Sequence, residues 1–289
     1  MNSKQAKATA SIISAAFFFA LMAAFVHLAG DLPAVQKSFF RNFVAFIFAA
    51  AVLLRSEEKF KINKSNIGPL LMRSVFGTMG ILGNFYAVDT LMLSDASMLN
   101  KLSPFFAIIF SYFLLKERMT LIQGVSVIIA FIGSLFIIKP SGAGMLSPGA
   151  IAGLLGGFGA GVAYTFVRIL GKRGERSAVI VFFFSAFSCL VTVPFLIFDY
   201  HPMTLKQLAF LISAGLSAAL AQFSITTAYS LAPAKEISVF DYTQVIFAAI
   251  LGFFLFGQMP DIYSVLGYII ICGVSVFMFM YNKVHDVQA

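Results

Sequence analysis

Apolar runs of about twenty residues recur along the whole chain, separated by short polar segments. One of them, FFFALMAAFV (17–26), shows no alternation of polar and apolar positions. A strand of a membrane barrel would alternate, whereas an unbroken run of roughly 20 apolar residues is the length that a helix needs to cross the hydrocarbon core. The pattern therefore predicts an all-α integral membrane protein.

The runs divide into ten predicted transmembrane helices joined by short connections. The longest clear connections are RSEEKFKINKSN (55–66) and IKPSGAGMLSPG (138–149), and the second is rich in glycine and proline. The predicted helices span residues 8–29, 34–54, 67–90, 95–115, 121–138, 149–170, 177–198, 206–230, 234–257 and 261–281.

Composition agrees with this class. Hydrophobic residues make up 60% of the chain and charged residues 11%, against roughly 25% charged residues in a soluble domain. The mean hydropathy is +0.93. A net charge of +8 would suit a nucleic-acid-binding protein, but the basic residues prove to be sorted by membrane side, so we expect no nucleic-acid partner.

The lysines and arginines outside the predicted helices fall mainly on one side of the membrane. Thirteen lie on the side of the N-terminus and three on the other: Lys4, Lys7, Arg55, Lys59, Lys61, Lys64, Lys116, Arg118, Lys172, Arg173, Arg176, Lys235 and Lys283 against Lys37, Lys139 and Lys206. Basic loops stay in the cytoplasm. The bias predicts a multi-pass protein of the cytoplasmic membrane with both termini cytoplasmic.

The two halves of the chain resemble each other at an offset of 141 residues. Ala87 then meets Ala228, and Asn100 meets Asp241. The first five predicted helices correspond to the last five, and because five is odd the halves enter the membrane from opposite sides. The sequence therefore predicts two inverted five-helix repeats, residues 1–139 and 140–289, an arrangement typical of transporters that bind substrate near the midplane between the halves.

Polar residues interrupt the predicted fourth and ninth helices. Asn100, Lys101 and Pro104 share one face of the fourth helix, and Asp241 and Tyr242 lie at the corresponding positions of the ninth. A Lys or Asp at a helix centre costs about 2.5–3.5 kcal/mol on insertion scales, so such a face is expected to turn away from lipid. Pro104 should free the carbonyl of Asn100 and bend the helix.

Three interpretations of Lys101 fit the sequence. Its side chain lines a cavity or pathway, forms a structural ion pair with an acidic residue, or reaches the outer membrane surface from about two turns below it. Asp241 is predicted to lie near the inner end of its helix, with the same alternatives.

Other polar side chains within the predicted helices are also candidates. Asn84 and Gln222 lie deep, where they either bond across helices or face substrate. Arg41 either lines a cavity or reaches the surface, and Tyr164 either contacts ligand or packs. Arg73 is expected near the inner end of its helix, where anionic headgroups would hold it.

Two motifs carry a resemblance to a known family. They are RSVFGTMGILGNFYAVDTLMLSDASMLNKLSPFFAIIFSYFLLKERMT (73–120) and AYSLAPAKEISVFDYTQVIFAAILGFFLFGQMP (228–260). With them, nearly the whole chain resembles the drug/metabolite transporter superfamily, in its EamA-type branch of ten-helix permeases. The resemblance implies an inverted-repeat carrier with a central cavity lined mainly by helices 1, 3, 4, 6, 8 and 9. It also implies a substrate among amino acids, cofactors, nucleotide-related metabolites and drugs.

The sequence predicts a secondary active transporter working by alternating access. The chain has no GxxxxGK[ST] motif and no soluble domain to bind a nucleotide. Transport would then be driven by an ion gradient, such as a coupled proton, or by exchange against a counter-substrate, or it would run downhill. Asn100 and Lys101 are predicted to contact the small-molecule substrate on the outer side, and Asp241 and Tyr242 on the inner side. The cations Lys101 and Arg41 favour a small polar or amphipathic metabolite such as an amino acid or related organic anion.

Several alternatives stay open. An exporter of drugs or cationic metabolites would share the fold, and a channel is a weaker alternative. An enzyme is not expected, because His27, His201 and His285 share no face and no acidic pair lies at mid-membrane. We predict no catalytic residue, no metal and no cofactor, a lipid bilayer as the surroundings, and a monomer or homodimer.

Overall fold

The computed structural model describes residues 3–90, 99–138, 147–257 and 259–285. These residues form an all-helical bundle whose longer helices run α1 Ser3–Leu28, α2 Ala34–Leu54, α3 Ile67–Thr90, α4 Ser103–Leu115, α5 Leu121–Ile138, α6 Pro148–Lys172, α7 Ser177–Phe198, α8 Leu205–Leu231, α9 Ala234–Asp241, α10 Thr243–Phe256 and α11 Ile262–His285. One 3₁₀ turn, Lys64–Asn66, precedes α3.

Within the described ranges, seven helical stretches are long and apolar enough to cross a membrane. They are α1, α2, α6, α7, α8, the α9–α10 pair and α11, and α4 and α5 are shorter apolar helices. Large apolar side chains such as Phe113, Leu190 and Phe254 project outward with most of their surface exposed, as expected of a surface that faces acyl chains. The chain is thus a multi-pass membrane protein, and the total of ten crossings stays a prediction.

The predicted helix bounds hold within a few residues except at two places. The helices predicted over 95–115 and 234–257 are each interrupted by a short turn, at Lys101–Leu102 before α4 and at Tyr242 between α9 and α10, and α9 and α10 still form one apolar stretch of 23 residues. Residues 95–98 and the predicted repeat boundary at 139/140 lie outside the described residues.

Local capping explains where several helices begin and end. Ser147 accepts a hydrogen bond from the backbone of Ala150, and Pro148 fills the first turn of α6, where its missing N–H costs nothing. Thr204 and Gln207 form a reciprocal capping box at the start of α8. Gly257 ends α10 with a φ of 65°, a conformation in which glycine carries no steric cost.

Two glycine-lined contacts bring helices unusually close. A Cβ on Gly83 of α3 would lie 2.5 Å from the carbonyl oxygen of Ala152 and 3.0 Å from Cα of Gly156 on α6. A Cβ on Gly156 would lie 2.8 Å from the backbone nitrogen of Asn84. Small residues let two membrane helices approach backbone to backbone, so α3 and α6 pack without side chains between them.

The other principal pairings surround this contact. Helix α1 packs along α8, α2 packs on α7, and α5 packs on α11. These pairings join helices that are distant in sequence, so the bundle is one packed body and its interior belongs to both halves of the chain.

Loops with many basic residues gather at one end of the bundle, called the basic end below. There the Arg176 guanidinium donates to the carbonyls of Lys59 and Lys61 at 2.8 and 3.0 Å, and Lys235 Nζ donates to the Arg118 carbonyl at 2.6 Å. At the opposite end, Gln36 exchanges two hydrogen bonds of 2.9 Å with the backbone of His201.

Candidate functional site

A cavity of about 130 Å³ lies inside the bundle. Its walls come from α1, α2, α3, α6, α7 and α8, together with the two places where the chain turns before α4 and between α9 and α10. Compared with the helices that the family resemblance implies, α2 and α7 are additions, and they contribute Arg41 and Phe184.

Seven of the nine residues singled out from the sequence line this cavity: Arg41, Asn84, Asn100, Lys101, Tyr164, Gln222 and Asp241. The other two, Pro104 and Tyr242, are buried beside it and are not part of the lining. Residues chosen on six different predicted helices therefore share one internal space.

Lys101 and Asp241 form a buried ion pair on the cavity wall. Lys101 Nζ lies 3.1 Å from Asp241 Oδ2, and only 8% and 10% of the two side chains is exposed. The ammonium also donates to Gln244 Oε1 at 2.7 Å. The prediction of separate outer and inner contacts is therefore wrong, because the two residues meet. The cavity and ion-pair interpretations of Lys101 hold together, and the surface interpretation does not.

The pair exists because both helices break at the same level. Lys101 Nζ donates to the Asp241 carbonyl at 3.2 Å, and Tyr242 Oη donates to the Lys101 carbonyl at 3.1 Å. A helix break leaves carbonyls without intrahelical donors, and a membrane interior offers no water to replace them. Each break is thus completed by a side chain of the other.

Pro104 lies in the first turn of α4, which begins at Ser103, directly after the turn at Lys101–Leu102. The predicted disturbance of the helix therefore takes the form of a short interruption before the proline. A proline is tolerated in a first turn because the N–H that it lacks would have no intrahelical acceptor.

Two arginines face the cavity without an acidic partner. Arg41 is 5% exposed and Arg73 2%, and among the described residues neither has a carboxylate within 4.0 Å. Arg41 Nε donates to the sulfur of Met22 at 3.0 Å, so its cavity interpretation holds. The expectation that headgroups hold Arg73 is wrong, since its side chain turns into the bundle.

Neutral groups hold Arg73. Its Nη2 donates to Gln222 Oε1 at 3.2 Å, and its Cζ lies 3.9 Å above the centre of the Phe184 ring. Arg73, Phe184 and Gln244 are lining residues that the sequence predictions missed. A signal for Arg73 existed, because it precedes Asn84 by eleven residues and therefore shares its helix face.

Two layers of contacts separate the cavity from the basic end. The rings of Tyr164 and Tyr229 stack at 4.6 Å between centroids. One turn further along α6, Arg168 pairs with Glu117 at 3.1 Å and donates to the Ser230 carbonyl at 3.0 Å. Lys172 also pairs with Glu117, at 2.8 Å. These contacts tie α6 to α8 and to the segment that follows α4.

The chain matches one protein family twice. The profile of the EamA-like transporter family aligns with residues 7–139 and again with residues 147–280. Together the two matches extend over most of the chain.

Curated relatives share this length. A pseudopaline exporter, CntI, of Pseudomonas aeruginosa is 31% identical over 261 residues, which cover 90% of this chain and 91% of the relative. An S-adenosylmethionine uptake transporter of Rickettsia bellii is 24% identical over 89% of this chain and 87% of the relative.

A solved crystal structure has the same fold. It superposes with a TM-score of 0.83 at 15% identity, covering 97% of this chain and 99% of the other.

Proposed function

Because the chain belongs to the EamA-like transporter family and is a membrane transporter and not an enzyme, we propose that it moves a small organic anion across the cytoplasmic membrane by secondary active, alternating-access transport. The substrate would carry at least one carboxylate or phosphate group, as in an amino acid or a related metabolite. One observation carries the proposal: among the described lining residues, the cavity holds Arg41, Arg73 and Lys101 against a single carboxylate, that of Asp241.

The charge balance favours an acidic substrate. Lys101 and Asp241 neutralise each other, which leaves two buried guanidinium groups without a counter-charge among the described residues. A buried charge is costly unless it is paired, so an entering anion would gain from both cations. An exporter of cationic drugs with the same fold would have to overcome that repulsion.

The rest of the lining suits an amphipathic molecule. Phe19, Ile81, Phe85 and Phe184 provide apolar and aromatic surface, whereas Asn84 and Asn100 provide amide donors and acceptors. Binding sites for small molecules commonly combine apolar walls with a few placed polar groups. Asn84, Asn100, Tyr164 and Gln222 are proposed as neutral substrate contacts.

The helix pairings support two inverted five-helix repeats. If α9 and α10 count as one crossing, the first five helices correspond in order to the last five, so that α3 corresponds to α8 and α1 to α6. Under this correspondence the α3–α6 contact becomes the α8–α1 contact, and both contacts are present. The α2–α7 and α5–α11 contacts each map onto themselves. In such carriers the broken helices meet at the substrate site between the repeats, and the meeting of Lys101 and Asp241 at two helix interruptions supports a substrate site there.

Alternating access requires that the cavity open to one side at a time. The stacked Tyr164 and Tyr229, with the Glu117 ion pairs beneath them, would form the closed gate at the basic end. The relatives named as an exporter and as an uptake transporter work in opposite directions, so the direction would follow from the driving proton or counter-substrate gradient.

The test begins with the full-length protein in detergent. Succinate, glutamate and inorganic phosphate are expected to raise the melting temperature in proportion to the logarithm of their concentration, because a ligand that binds the folded state stabilises it. Tetraphenylphosphonium serves as the cationic probe. Stabilisation by that cation alone would support the drug-exporter alternative, and no response to any of the three anions would overturn the proposed substrate class.

The second step measures transport in liposomes. The stabilising anion, in labelled form, should enter with saturation and show counterflow against the unlabelled compound, whereas a channel would show neither. Arg41→Gln should weaken transport about tenfold through loss of a charged contact. The matched control is Arg118→Gln, an exposed arginine between α4 and α5.

A further inference from the structure

We propose that Arg73 anchors the acidic group of the substrate, and that Gly77, Phe184 and Gln222 position its guanidinium without neutralising it. The inference rests on the proposed transport of an organic anion and names the subsite that would bind the carboxylate or phosphate. Gly77 is the new positioning residue, and its role follows from the space that Arg73 occupies.

Arg73 has an unused hydrogen-bond donor. The side chain is one of the largest that is fully buried, and its Nε is also buried with no partner. A buried donor that makes no hydrogen bond costs roughly 1–3 kcal/mol. An anion that accepts from Nε would remove this cost, and an arginine fork binds carboxylate and phosphate oxygens in pairs.

The groups that hold Arg73 leave its charge available. Gln222 accepts one hydrogen bond through an uncharged amide oxygen, and the Phe184 ring attracts the cation through its face. A carboxylate at either place would neutralise the guanidinium. Lys101 differs, because Asp241 already neutralises its ammonium.

Gly77 keeps open the path of the Arg73 side chain. The two residues lie four apart on α3, and a Cβ on Gly77 would overlap Nη1 of Arg73. The same Cβ would come within 2.8 Å of the Phe184 ring edge. Any residue larger than glycine would therefore displace the guanidinium, the ring, or both.

The experiment compares two glycines of one helix. Gly77→Ala should raise the Kd of the stabilising anion at least about tenfold and raise the KM of liposome transport more than it lowers the maximal rate. Gly68→Ala is the control, because a Cβ at Gly68 has no atom within 4 Å. Arg73→Gln should abolish the anion-dependent rise in melting temperature, and Arg73→Lys should restore part of it.

Separate titrations with succinate and with inorganic phosphate distinguish the two acidic groups. Whichever probe loses its effect in Arg73→Gln identifies the group that Arg73 binds. If the wild type responds to an anion and Arg73→Gln responds equally, this inference fails while the proposed function stands. If the wild type responds to neither probe nor to glutamate, both fail.

A double variant covers the case in which Gly77→Ala does not fold. In Arg73→Ala the guanidinium is absent and Phe184 is free to shift, so adding Gly77→Ala should lower the melting temperature far less than it does in the wild type. An equal loss in both backgrounds would show that Gly77 does not act through Arg73 and would overturn its positioning role.

Discussion

Lys101 and Asp241 are 140 residues apart in the chain, yet Nζ of the first lies 3.1 Å from Oδ2 of the second. The pair joins the turn before α4 to the turn after α9, so it links the two halves of the bundle at the wall of the cavity. Any movement that separates the two turns must break it. In the proposed transport cycle, the pair would therefore couple substrate binding to the arrangement of the halves.

Removing one partner of this pair should destabilise the protein strongly. Lys101→Met or Asp241→Asn leaves a buried group without its partner, which costs about 3–5 kcal/mol, so the melting temperature in detergent should fall clearly for each. The melting temperature of the double variant Lys101→Met/Asp241→Asn should fall by less than the sum of the falls in the two single variants. Strict additivity would contradict the pairing, and Lys101→Ala is further expected to abolish transport in liposomes.

Tyr242→Phe tests the bond that completes the first helix break. Without the hydroxyl, the buried Lys101 carbonyl loses its donor, and the unfolding free energy should fall by about 1–3 kcal/mol. Denaturant titration of the purified protein measures this loss. Tyr112→Phe is the control, since 51% of Tyr112 is exposed and surface changes stay within about 0.5 kcal/mol. An unchanged Tyr242→Phe would show that the bond contributes nothing.

Sequence periodicity predicted most of the helices because an apolar run of sufficient length has few alternatives to a membrane helix. The cavity residues Asn84, Gln222, Lys101 and Asp241 were predicted for a related reason, namely the cost of exposing polar groups to lipid. Neither argument depends on which helices touch.

Depth along a helix could not be predicted in the same way. The positions of Lys101 and Asp241 were counted from the ends of continuous helices, and the breaks at Lys101–Leu102 and Tyr242 change that count. The spacing of residues along one helix does not show which residues of another helix it meets. The contact between the two residues therefore required knowledge of the tertiary structure.

Arg73 shows a second limit. An arginine two turns from a helix end fits both a headgroup contact and an internal cavity. The choice is made by Gly77 beside it and by Phe184 and Gln222 on other helices. Phe184 and Gln222 lie more than 100 residues away in the chain, so the local pattern around Arg73 does not reveal them.

Gly83→Ala should weaken the contact between α3 and α6. The new methyl group would meet backbone atoms of Ala152 and Gly156, which cannot rotate away as a side chain can. Overpacking of this kind costs about 1–3 kcal/mol, visible as a lower melting temperature. Gly273→Ala on α11 is the control, because no atom lies within 4 Å of its added Cβ. Equal stability of the two variants would contradict the close approach of α3 and α6.

The proposed orientation makes a separate prediction. With Cys189→Ala and Cys272→Ala as the background, a membrane-impermeant maleimide should label Lys206→Cys in whole cells. Arg173→Cys, at the basic end, should react only after permeabilisation, because basic loops face the cytoplasm. The reverse labelling pattern would show that the protein is inserted with the basic end outside.

Glu117→Gln tests whether the basic end closes the cavity. The neutral amide loses the charge that binds Arg168 and Lys172, so conformations open at this end should become more populated. Asn84→Cys, in the same cysteine-free background, reports access to the cavity. In inside-out vesicles a small impermeant methanethiosulfonate reagent should modify it severalfold faster when Glu117→Gln is added.

Glu58→Gln is the matched control, since Glu58 pairs with Arg176 at the same end but is 61% exposed. If both substitutions change the rate equally, the Glu117 ion pairs are not a gate, because loss of any negative charge at that end would then suffice.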